Sequence, residues 1–367
     1  MMSIWTRSSP LVGRNSKVLR RCNRCFHSGR IQHVQRLLWC GSVLDQSSST
    51  LKEVPKDWLL AMGMQEDVEQ GISFGSLASS FSHSLLSYTT LPPALPVQNV
   101  IPQDESEPPR TNPAGLHKVV AIGRNTFGEL GSGFSSQEST WGMVGAGFEG
   151  AGGIETVRCG LGSSWLLTKT SKDKDASSLL YSFGNHTSGQ LGVGGISRPY
   201  AQSEGGEPQL ELYSSPRRVP IEDDIVIESI SSGLDHTVIL VRLPNGTQEV
   251  RTCGINTDGQ LGLPSVQFSL PSFKSIQPES FQPPLPPTEE DPIVGVAAGG
   301  DSSALWTASG RIWCWGNSEY AQALVGGEPI DRIDVPTEAS SSVASVLQGA
   351  KVVDVKFGGS FVVLLDV

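Results

Sequence analysis

The sequence predicts an all-β fold, a β-propeller built from an internal repeat with five recognisable blades. The first observation is a nine-residue pattern, with glycine at its first, sixth and ninth positions and leucine at its eighth, that occurs three times. The copies are GRNTFGELG from Gly123, GNHTSGQLG from Gly184 and GINTDGQLG from Gly254. A degenerate copy, GNSEYAQAL, begins at Gly316. A motif that recurs in this way indicates a repeat architecture.

Two kinds of element alternate along the chain, five times each. The first kind is a short apolar run that ends at a glycine, and these glycines are Gly41, Gly123, Gly184, Gly254 and Gly316. The second kind is a predicted strand pair around a small turn, with copies that begin at Gly71, Glu155, Ile227, Ile293 and Val352. Successive first-kind glycines are 82, 61, 70 and 62 residues apart. Such periods are typical of propeller blades, because one small sheet must stack on neighbours to bury both faces.

The residues of the nine-residue pattern have a predicted structural role. Glycine lets the backbone adopt positive φ in tight turns between antiparallel strands. The leucines are then free to fill the gaps between adjacent blades. The structural repeat set comprises Gly123, Gly128, Leu130, Gly131, Gly184, Gly189, Leu191, Gly192, Gly254, Gly259, Leu261, Gly262 and Gly316.

The repeat region is predicted to extend over residues 37–367 as one domain. Inserts rich in Pro, Gly or acidic residues, near 91–113, 193–217, 264–292 and 325–340, are predicted as long surface loops. The region opens with a first-kind element at 37–44 and closes with a second-kind element at 352–365. Pairing of these terminal strands would complete a fifth blade and hide the sheet edges, so we expect a closed ring. Unrecognised strands in the inserts would raise the count to six or seven.

The first 36 residues have a different composition from the rest. They contain eight Lys or Arg residues and no acidic residue, and they lack the apolar core of a secretory signal. Basic, Ser-containing and acid-poor leaders are typical of mitochondrial presequences. Residues 1–36 are therefore predicted to be a presequence, cleaved or disordered, and the protein to act in the matrix or on the matrix side of the inner membrane. A basic tail that contacts nucleic acid or an anionic membrane is the alternative.

Composition and motifs argue against several classes of function. The part after residue 36 has 19 basic and 37 acidic residues, which disfavours direct nucleic-acid binding. A phosphate-binding loop needs Lys and Ser/Thr after its second glycine, where Gln190 and Leu191 stand. Cys22 and Cys25 form a lone CxxC, and the six histidines show no metal-ligand spacing. No cofactor, no metal site and no catalysis on a small molecule are therefore expected, and no apolar run is long enough to span a membrane.

The repeat resembles that of the regulator of chromosome condensation family. The segments that carry the resemblance are YSFGNHTSGQLG (181–192), TCGINTDGQLG (252–262) and SSGLDHTVIL (231–240). With the basic leader, the chain looks like a fungal-like member of the mitochondrial branch of that family. The chain differs from the family in the number of blades, since the family's propellers have seven blades and five are recognisable here.

The resemblance implies a non-enzymatic propeller that binds proteins. One implied role is a scaffold in the assembly of the mitochondrial ribosome or a respiratory complex, with ribosomal proteins or assembly factors as partners and peripheral membrane association. The other is a guanine-nucleotide exchange factor for a mitochondrial GTPase. A third hypothesis is a propeller enzyme with a site in the central channel.

Four residues near the turns of the second-kind elements are candidates for partner binding. They are Asp235, His236 and Asp301, with Arg158 as a possible partner. The simpler interpretation is that these polar residues satisfy local backbone groups at turns. For the histidine position of the repeat, His83 and His236, we predict a structural hydrogen-bonding role.

Overall fold

The computed structural model describes ten segments of the chain. They are residues 3–5, 37–43, 46–90, 116–145, 153–170, 176–195, 211–266, 268–326, 330–339 and 341–367. The predicted presequence, apart from residues 3–5, and the predicted loop at 91–113 lie outside the described residues.

Four antiparallel sheets of four strands each confirm the predicted all-β propeller class. Strands follow one another in chain order within every sheet, and we call them A, B, C and D. Blade 1 contains β4 (Ile72–Ser79), β5 (His83–Thr90), β6 (His117–Asn125) and β7 (Ser136–Met143). Blade 2 contains β8 (Ile154–Cys159), β9 (Ser163–Lys169), β10 (Ser178–Asn185) and β11 (Leu212–Arg218). Blade 3 contains β12 (Val226–Ser232), β13 (His236–Arg242), β14 (Gln248–Ile255) and β15 (Ser269–Ile276). Blade 4 contains β16 (Ile293–Gly299), β17 (Ser302–Thr307), β18 (Ile312–Asn317) and β19 (Arg332–Glu338).

The two ends of the chain form smaller sheets. At the amino end, β1 (Ser3–Trp5), β2 (Leu38–Val43) and β3 (Gln46–Glu53) form three strands in that order. At the carboxyl end, β20 (Val352–Phe357) and β21 (Val362–Asp366) form a hairpin. The predicted pairing of β2 with the last strand is not present in this structure, because β1 occupies the edge of β2 opposite β3. Ring closure stays a prediction.

Three of the predicted loops contain an outer strand, so the loop prediction was wrong for those residues. β15 and β19 lie inside the inserts predicted near 264–292 and 325–340, and β11 overlaps the end of the insert predicted near 193–217. Most residues of these D strands are half-buried or exposed, and each strand contains a proline: Pro216, Pro271 or Pro336. Proline cannot donate to a sheet ladder and is tolerated on an edge strand, where one row of backbone groups is free. The same residue type that suggested a loop is therefore compatible with the outermost strand of a blade.

The blades stack through their first strands and bury their second strands. β4 packs against β8, β12 against β16 and β16 against β20, so the A strands lie side by side. Six of the seven residues of β13 are buried, and the B strands of the other blades are buried to a similar extent. Leu130, Leu191 and Leu261 are fully buried in the apolar clusters between consecutive blades, as predicted.

A helical segment that the sequence patterns did not predict connects β3 to blade 1. It consists of α1 (Lys56–Leu59), a π-helical turn (Leu60–Met64) and α2 (Gln65–Gln70). Asp67 of α2 is buried, where it accepts a hydrogen bond from Tyr88 Oη at 2.7 Å and pairs with Lys118 Nζ at 2.9 Å. A third helix, α3 (Ser341–Leu347), precedes β20. Within the described ranges, no helix is long and apolar enough to cross a bilayer.

Candidate functional site

One end of every blade carries both the A–B turn and the C–D loop, because the four strands run antiparallel in chain order. We call this end of the propeller the turn face. The nine-residue glycine patterns form its C–D loops, and Asp235 and Asp301 lie in its A–B turns. The B–C turns and D–A connections lie at the opposite end. Asp235 and Asp301 therefore belong to the turn face, and His236 is the first residue of the strand β13 that starts there.

Side chains of the repeat hold each C–D loop in shape. In blade 3, Asn256 Oδ1 accepts a hydrogen bond from the backbone N–H of Leu261 at 2.9 Å, and Gln260 Oε1 accepts one from Asp258 at 2.8 Å. Gly254, where the loop begins, has φ +107°, and a Cβ there would lie 2.3 Å from the carbonyl oxygen of Asp235. Only glycine fits such a position without a shift of the backbone.

The glutamine of the loop also reaches the next blade. Gln190 Nε2 of blade 2 donates to Asp235 Oδ1 of blade 3 at 2.9 Å, and Gln260 Nε2 of blade 3 donates to Asp301 Oδ1 of blade 4 at 3.2 Å. At the junction of blades 1 and 2, Glu129 takes the place of the glutamine and Gly162 the place of the aspartate. A carboxylate is tolerated there because the neighbouring blade presents no opposing carboxylate at that position.

The histidines of the repeat also bridge blades. His236 Nε2 lies 2.9 Å from Ser303 Oγ of blade 4, and His83 Nε2 lies 2.6 Å from Ser164 Oγ of blade 2. Both imidazoles are fully buried, and burial lowers the pKa of His236 to about 4 and that of His83 to about 3. Neutral imidazoles that bridge blades fit the predicted structural role.

Asp235 and Asp301 have unusual electrostatic surroundings. Burial, followed by the negative charge of Asp301, raises the pKa of Asp235 to about 6. Burial and the charge of Asp258 raise the pKa of Asp301, while the hydrogen bond from Gln260 opposes this shift. The three carboxyl groups thus create a region of negative potential at the junction of blades 3 and 4, which would attract a basic group of a partner.

Arg158 is not part of this group. It lies on the inner strand β8, where its guanidinium donates to Thr156 Oγ1 at 2.5 Å and to the carbonyl of Val157 at 2.9 Å. Burial lowers its pKa, and the negative charge of Asp354 of β20 opposes this shift. The structure therefore brings Asp235 and Asp301 together and places Arg158 among the A strands.

The sequence reasoning missed a set of aromatic side chains on the turn face. Five Phe or Tyr side chains are at least half exposed among the described residues, and all five lie in A–B turns or C–D loops. They are Phe81 (71% exposed), Phe134 (51%), Phe268 (50%), Tyr320 (62%) and Phe361 (60%). Exposed aromatic residues concentrated on one surface are typical of protein interfaces. Aromatic residues inside polar, glycine-rich loops were the signal in the sequence.

Two cysteines of the blade core are buried free thiols. Cys253 and Cys314 are fully buried and unpaired, and burial raises the pKa of each thiol. The side chain of Cys40 lies outside what the structure describes. In the described segments, no group of three or more His, Cys, Asp or Glu side chains is arranged to hold a metal ion.

The fold is a repeat β-propeller, with stacked four-stranded sheets, glycine-rich C–D loops and polar bridges between blades. Its turn face, with exposed aromatic side chains, is of the type that binds proteins. Residues 178–240 and 293–322 match the family described as "Regulator of chromosome condensation (RCC1) repeat". The chain therefore contains repeats of this family.

Its curated relatives are longer proteins. The "Guanine nucleotide exchange factor SRM1" of Saccharomyces cerevisiae is 27% identical over 211 residues, which cover 57% of this chain and 38% of the relative. The human "RCC1-like G exchanging factor-like protein" is 29% identical over 182 residues, which cover 49% of this chain and 32% of the relative. The matched part thus spans about a third of these relatives.

Solved structures show the same fold. The structure titled "The Crystal Structure of Prp20p from Saccharomyces cerevisiae and Its Binding Properties to Gsp1p and Histones" superposes with a TM-score of 0.59 at 20% identity, covering 90% of this chain and 64% of that one. The structure titled "Crystal structure of human WBSCR16" gives a TM-score of 0.55 at 20% identity, covering 87% of this chain and 62% of that one. At this identity, the likeness concerns the fold alone.

Proposed function

We propose that this propeller is a guanine-nucleotide exchange factor that binds a small GTPase through the turn face. The observation that carries the proposal is the concentration of exposed aromatic side chains and of the Asp235–Asp301 carboxyl groups on that one face. The names of the relatives, which include guanine nucleotide exchange factors, support the choice of a GTPase as the partner.

The face has the properties that such a partner requires. Exposed Phe and Tyr side chains supply large contact areas at a low cost in side-chain entropy, and such residues often dominate binding energy. Asp235 and Asp301 are held by Gln190 and Gln260 of the preceding blades, so their positions are set before binding. An exchange factor accelerates nucleotide release by binding the nucleotide-free GTPase more tightly than the nucleotide-bound form. A rigid and preorganised face is suited to that discrimination.

The test is a nucleotide-release assay with the full chain. Purified small GTPases are loaded with a fluorescent GDP analogue, and release is followed with and without the propeller. We expect accelerated release from at least one GTPase and a stable complex with its nucleotide-free form. No acceleration together with no such complex across the panel would contradict the proposal.

Two matched variant pairs connect the activity to the turn face. Phe134→Ala combined with Tyr320→Ala should reduce the accelerated rate of nucleotide release by about tenfold or more, the effect expected when interface anchors are removed. Val346→Ala on α3, at the opposite end of blade 4, is the apolar control, since Val346 is 79% exposed. Asp301→Asn tests the charge, with Asp224→Asn in the D–A connection of blades 2 and 3 as its control.

We also propose that the protein acts in mitochondria, on the strength of the basic and acid-free leader. The second hypothesis is an assembly scaffold for the mitochondrial ribosome or a respiratory complex. It rests on that location and on the acidic repeat region, which suits basic partners. The test is import of the full chain into isolated mitochondria, followed by affinity purification at low and high salt. A chain that is not imported would contradict the location, and binding that does not weaken in high salt would contradict the charge argument.

A further inference from the structure

A proline-rich segment connects blade 3 to blade 4 at the end of the propeller opposite the turn face. Residues 283–288 have the sequence PPLPPT, and we call them the proline ridge. The ridge follows β15 and precedes β16, and its residues 284–287 belong to no helix, strand or turn. Proline holds φ near the value of a polyproline II helix and disfavours helical backbone in the residue before it. The composition therefore favours the polyproline II conformation.

The ridge is held in place by the outer strands of blade 4. The N–H of Gln282 donates to the carbonyl of Pro336, and the carbonyl of Gln282 accepts from the N–H of Glu338, each at 2.8 Å. Trp313 Nε1 donates to the carbonyl of Pro283 at 3.0 Å. A segment whose position is set in advance loses little conformational entropy when it binds a partner.

The contacts of the ridge determine which of its edges is free. A polyproline II helix has three residues per turn, so every third side chain lies on the same edge. Leu285 and Thr288 share the edge that faces the protein: Leu285 packs against the apolar cluster of blades 3 and 4, and Thr288 Oγ1 accepts from the N–H of Gln248 at 3.2 Å. The other two edges carry the four prolines, of which three are exposed and Pro286 is half-buried. The two proline edges are thus presented to a partner.

The backbone of the ridge also offers hydrogen-bond acceptors. In the part of the chain that the structure describes, no donor reaches the carbonyl oxygens of Pro284, Leu285 or Pro286. Domains that recognise polyproline II helices line their grooves with aromatic side chains. The N–H of a tryptophan or the O–H of a tyrosine in such a groove can donate to these carbonyls.

The charge beside the ridge indicates what surrounds the groove of the partner. Glu289 and Glu290 directly follow the ridge, and both are exposed. Asp291, the next residue, accepts hydrogen bonds from the N–H and the hydroxyl of Ser309. The two exposed glutamates are complementary to a groove with a basic rim.

We propose that the proline ridge is the docking site of a small domain that binds polyproline II helices in an aromatic-lined groove with a basic rim. Pro283, Pro284, Pro286 and Pro287 contact the groove, and the carbonyls between them accept its hydrogen bonds. The ridge and the turn face lie at opposite ends of the propeller. Docking here therefore does not depend on a GTPase, and the two partners can be bound at the same time.

Titration of purified domains with the full chain tests the proposal. The probes are labelled SH3, WW and EVH1 domains, chosen to include grooves with basic rims, and fluorescence anisotropy measures the binding. We expect at least one domain to bind and a short oligoproline peptide to displace it. Pro284→Ala with Pro287→Ala should weaken this binding by about tenfold or more, because two apolar anchors are lost. Pro220→Ala with Pro244→Ala, two exposed prolines at the same end of the propeller, is the matched control and should bind as the wild type does.

A second pair of variants tests the charge. Glu289→Gln with Glu290→Gln should weaken binding by about two- to fivefold at low salt, as expected for exposed ion pairs, and should reduce its salt dependence. Glu66→Gln with Glu69→Gln, at exposed positions of α2, is the control. Thermal unfolding midpoints equal to that of the wild type show that the variants are folded.

Three results would overturn the proposal. They are a wild-type chain that binds no domain of the panel, binding that oligoproline does not displace, and a folded Pro284→Ala–Pro287→Ala chain that binds as tightly as the wild type.

Discussion

The Nε2 atom of His236 lies 2.9 Å from the hydroxyl oxygen of Ser303 in the next blade, and that hydroxyl donates its proton to the carbonyl of Gln260 at 2.9 Å. Because a serine hydroxyl has one proton to donate, the imidazole must be the donor of the first bond, with its proton on Nε2. His83, Ser164 and the carbonyl of Glu129 repeat the arrangement between blades 1 and 2. A buried histidine and a serine thus connect two blades at two of the junctions.

Ser303→Ala should destabilise the propeller by about 1–3 kcal/mol, because it leaves the buried Nε2–H of His236 and the carbonyl of Gln260 without this partner. Urea denaturation followed by tryptophan fluorescence measures the change. Ser265→Ala, on an exposed loop of blade 3, is the matched control and should change stability by less than about 0.5 kcal/mol. Equal stability of the two variants would show that the bridge contributes little.

Asp235→Asn should make the protein more stable at neutral pH. The folded-state pKa of about 6 lies above the usual value for aspartate, so the folded protein binds more protons than the unfolded chain between about pH 4 and pH 6. The stability that this carboxyl contributes is present below that window and is lost as the pH rises through it. Asparagine keeps an acceptor for Gln190 without the charge. The gain at pH 7 should reach up to about 3 kcal/mol.

The measurement is a series of urea denaturation curves between pH 4 and pH 8 for the wild type and the variant. Asp224→Asn, which removes a charge from an exposed site, is the control. The difference between wild type and Asp235→Asn should grow from pH 4 to pH 6 and then stay constant. A difference that does not depend on pH would mean that Asp235 titrates normally in the folded protein.

Leu191→Ala should cost about 2–5 kcal/mol, the range for removal of a buried leucine side chain. Leu191 is fully buried in a cluster with Trp165, Ile230 and Ile239 from both sides of the junction of blades 2 and 3. Leu116→Ala, at a side chain that is 67% exposed, should have little effect. The midpoint of urea denaturation measures the loss of stability. Comparable midpoints for Leu191→Ala and Leu116→Ala would argue against the predicted role of the repeat leucine.

Gly254→Ala should destabilise the protein more than Gly246→Ala. Both glycines have positive φ, +107° and +88°, so alanine is strained at either position by about 1–2 kcal/mol. At Gly254 the new Cβ would also lie 2.3 Å from the carbonyl oxygen of Asp235, whereas nothing lies within 4 Å of it at Gly246. Thermal unfolding of the two variants side by side measures the difference. A smaller loss of stability for Gly254→Ala than for Gly246→Ala would mean that the A–B turn can move away from the new Cβ without cost.

The sequence by itself determined the repeat, the all-β class and the burial of the repeat leucines. These features depend on local properties: glycine at positive φ, apolar runs of strand length, and a motif whose copies can be compared within one chain. The turn location of Asp235 and Asp301 and the structural role of His83 and His236 followed from the same comparison.

The tertiary structure alone decided which residues meet. Gln190 and Asp235 are 45 positions apart, and Gln260 and Asp301 are 41 positions apart. These side chains meet because stacking places the C–D loop of one blade on the A–B turn of the next. The D strands were mistaken for loops because an outer strand is buried on too little of its surface to show apolar alternation. The gathering of exposed aromatic side chains on one face and the occupation of the β2 edge by β1 also depend on contacts between distant segments. Local periodicity determines whether a side chain is buried, whereas its partner is determined by how the sheets pack.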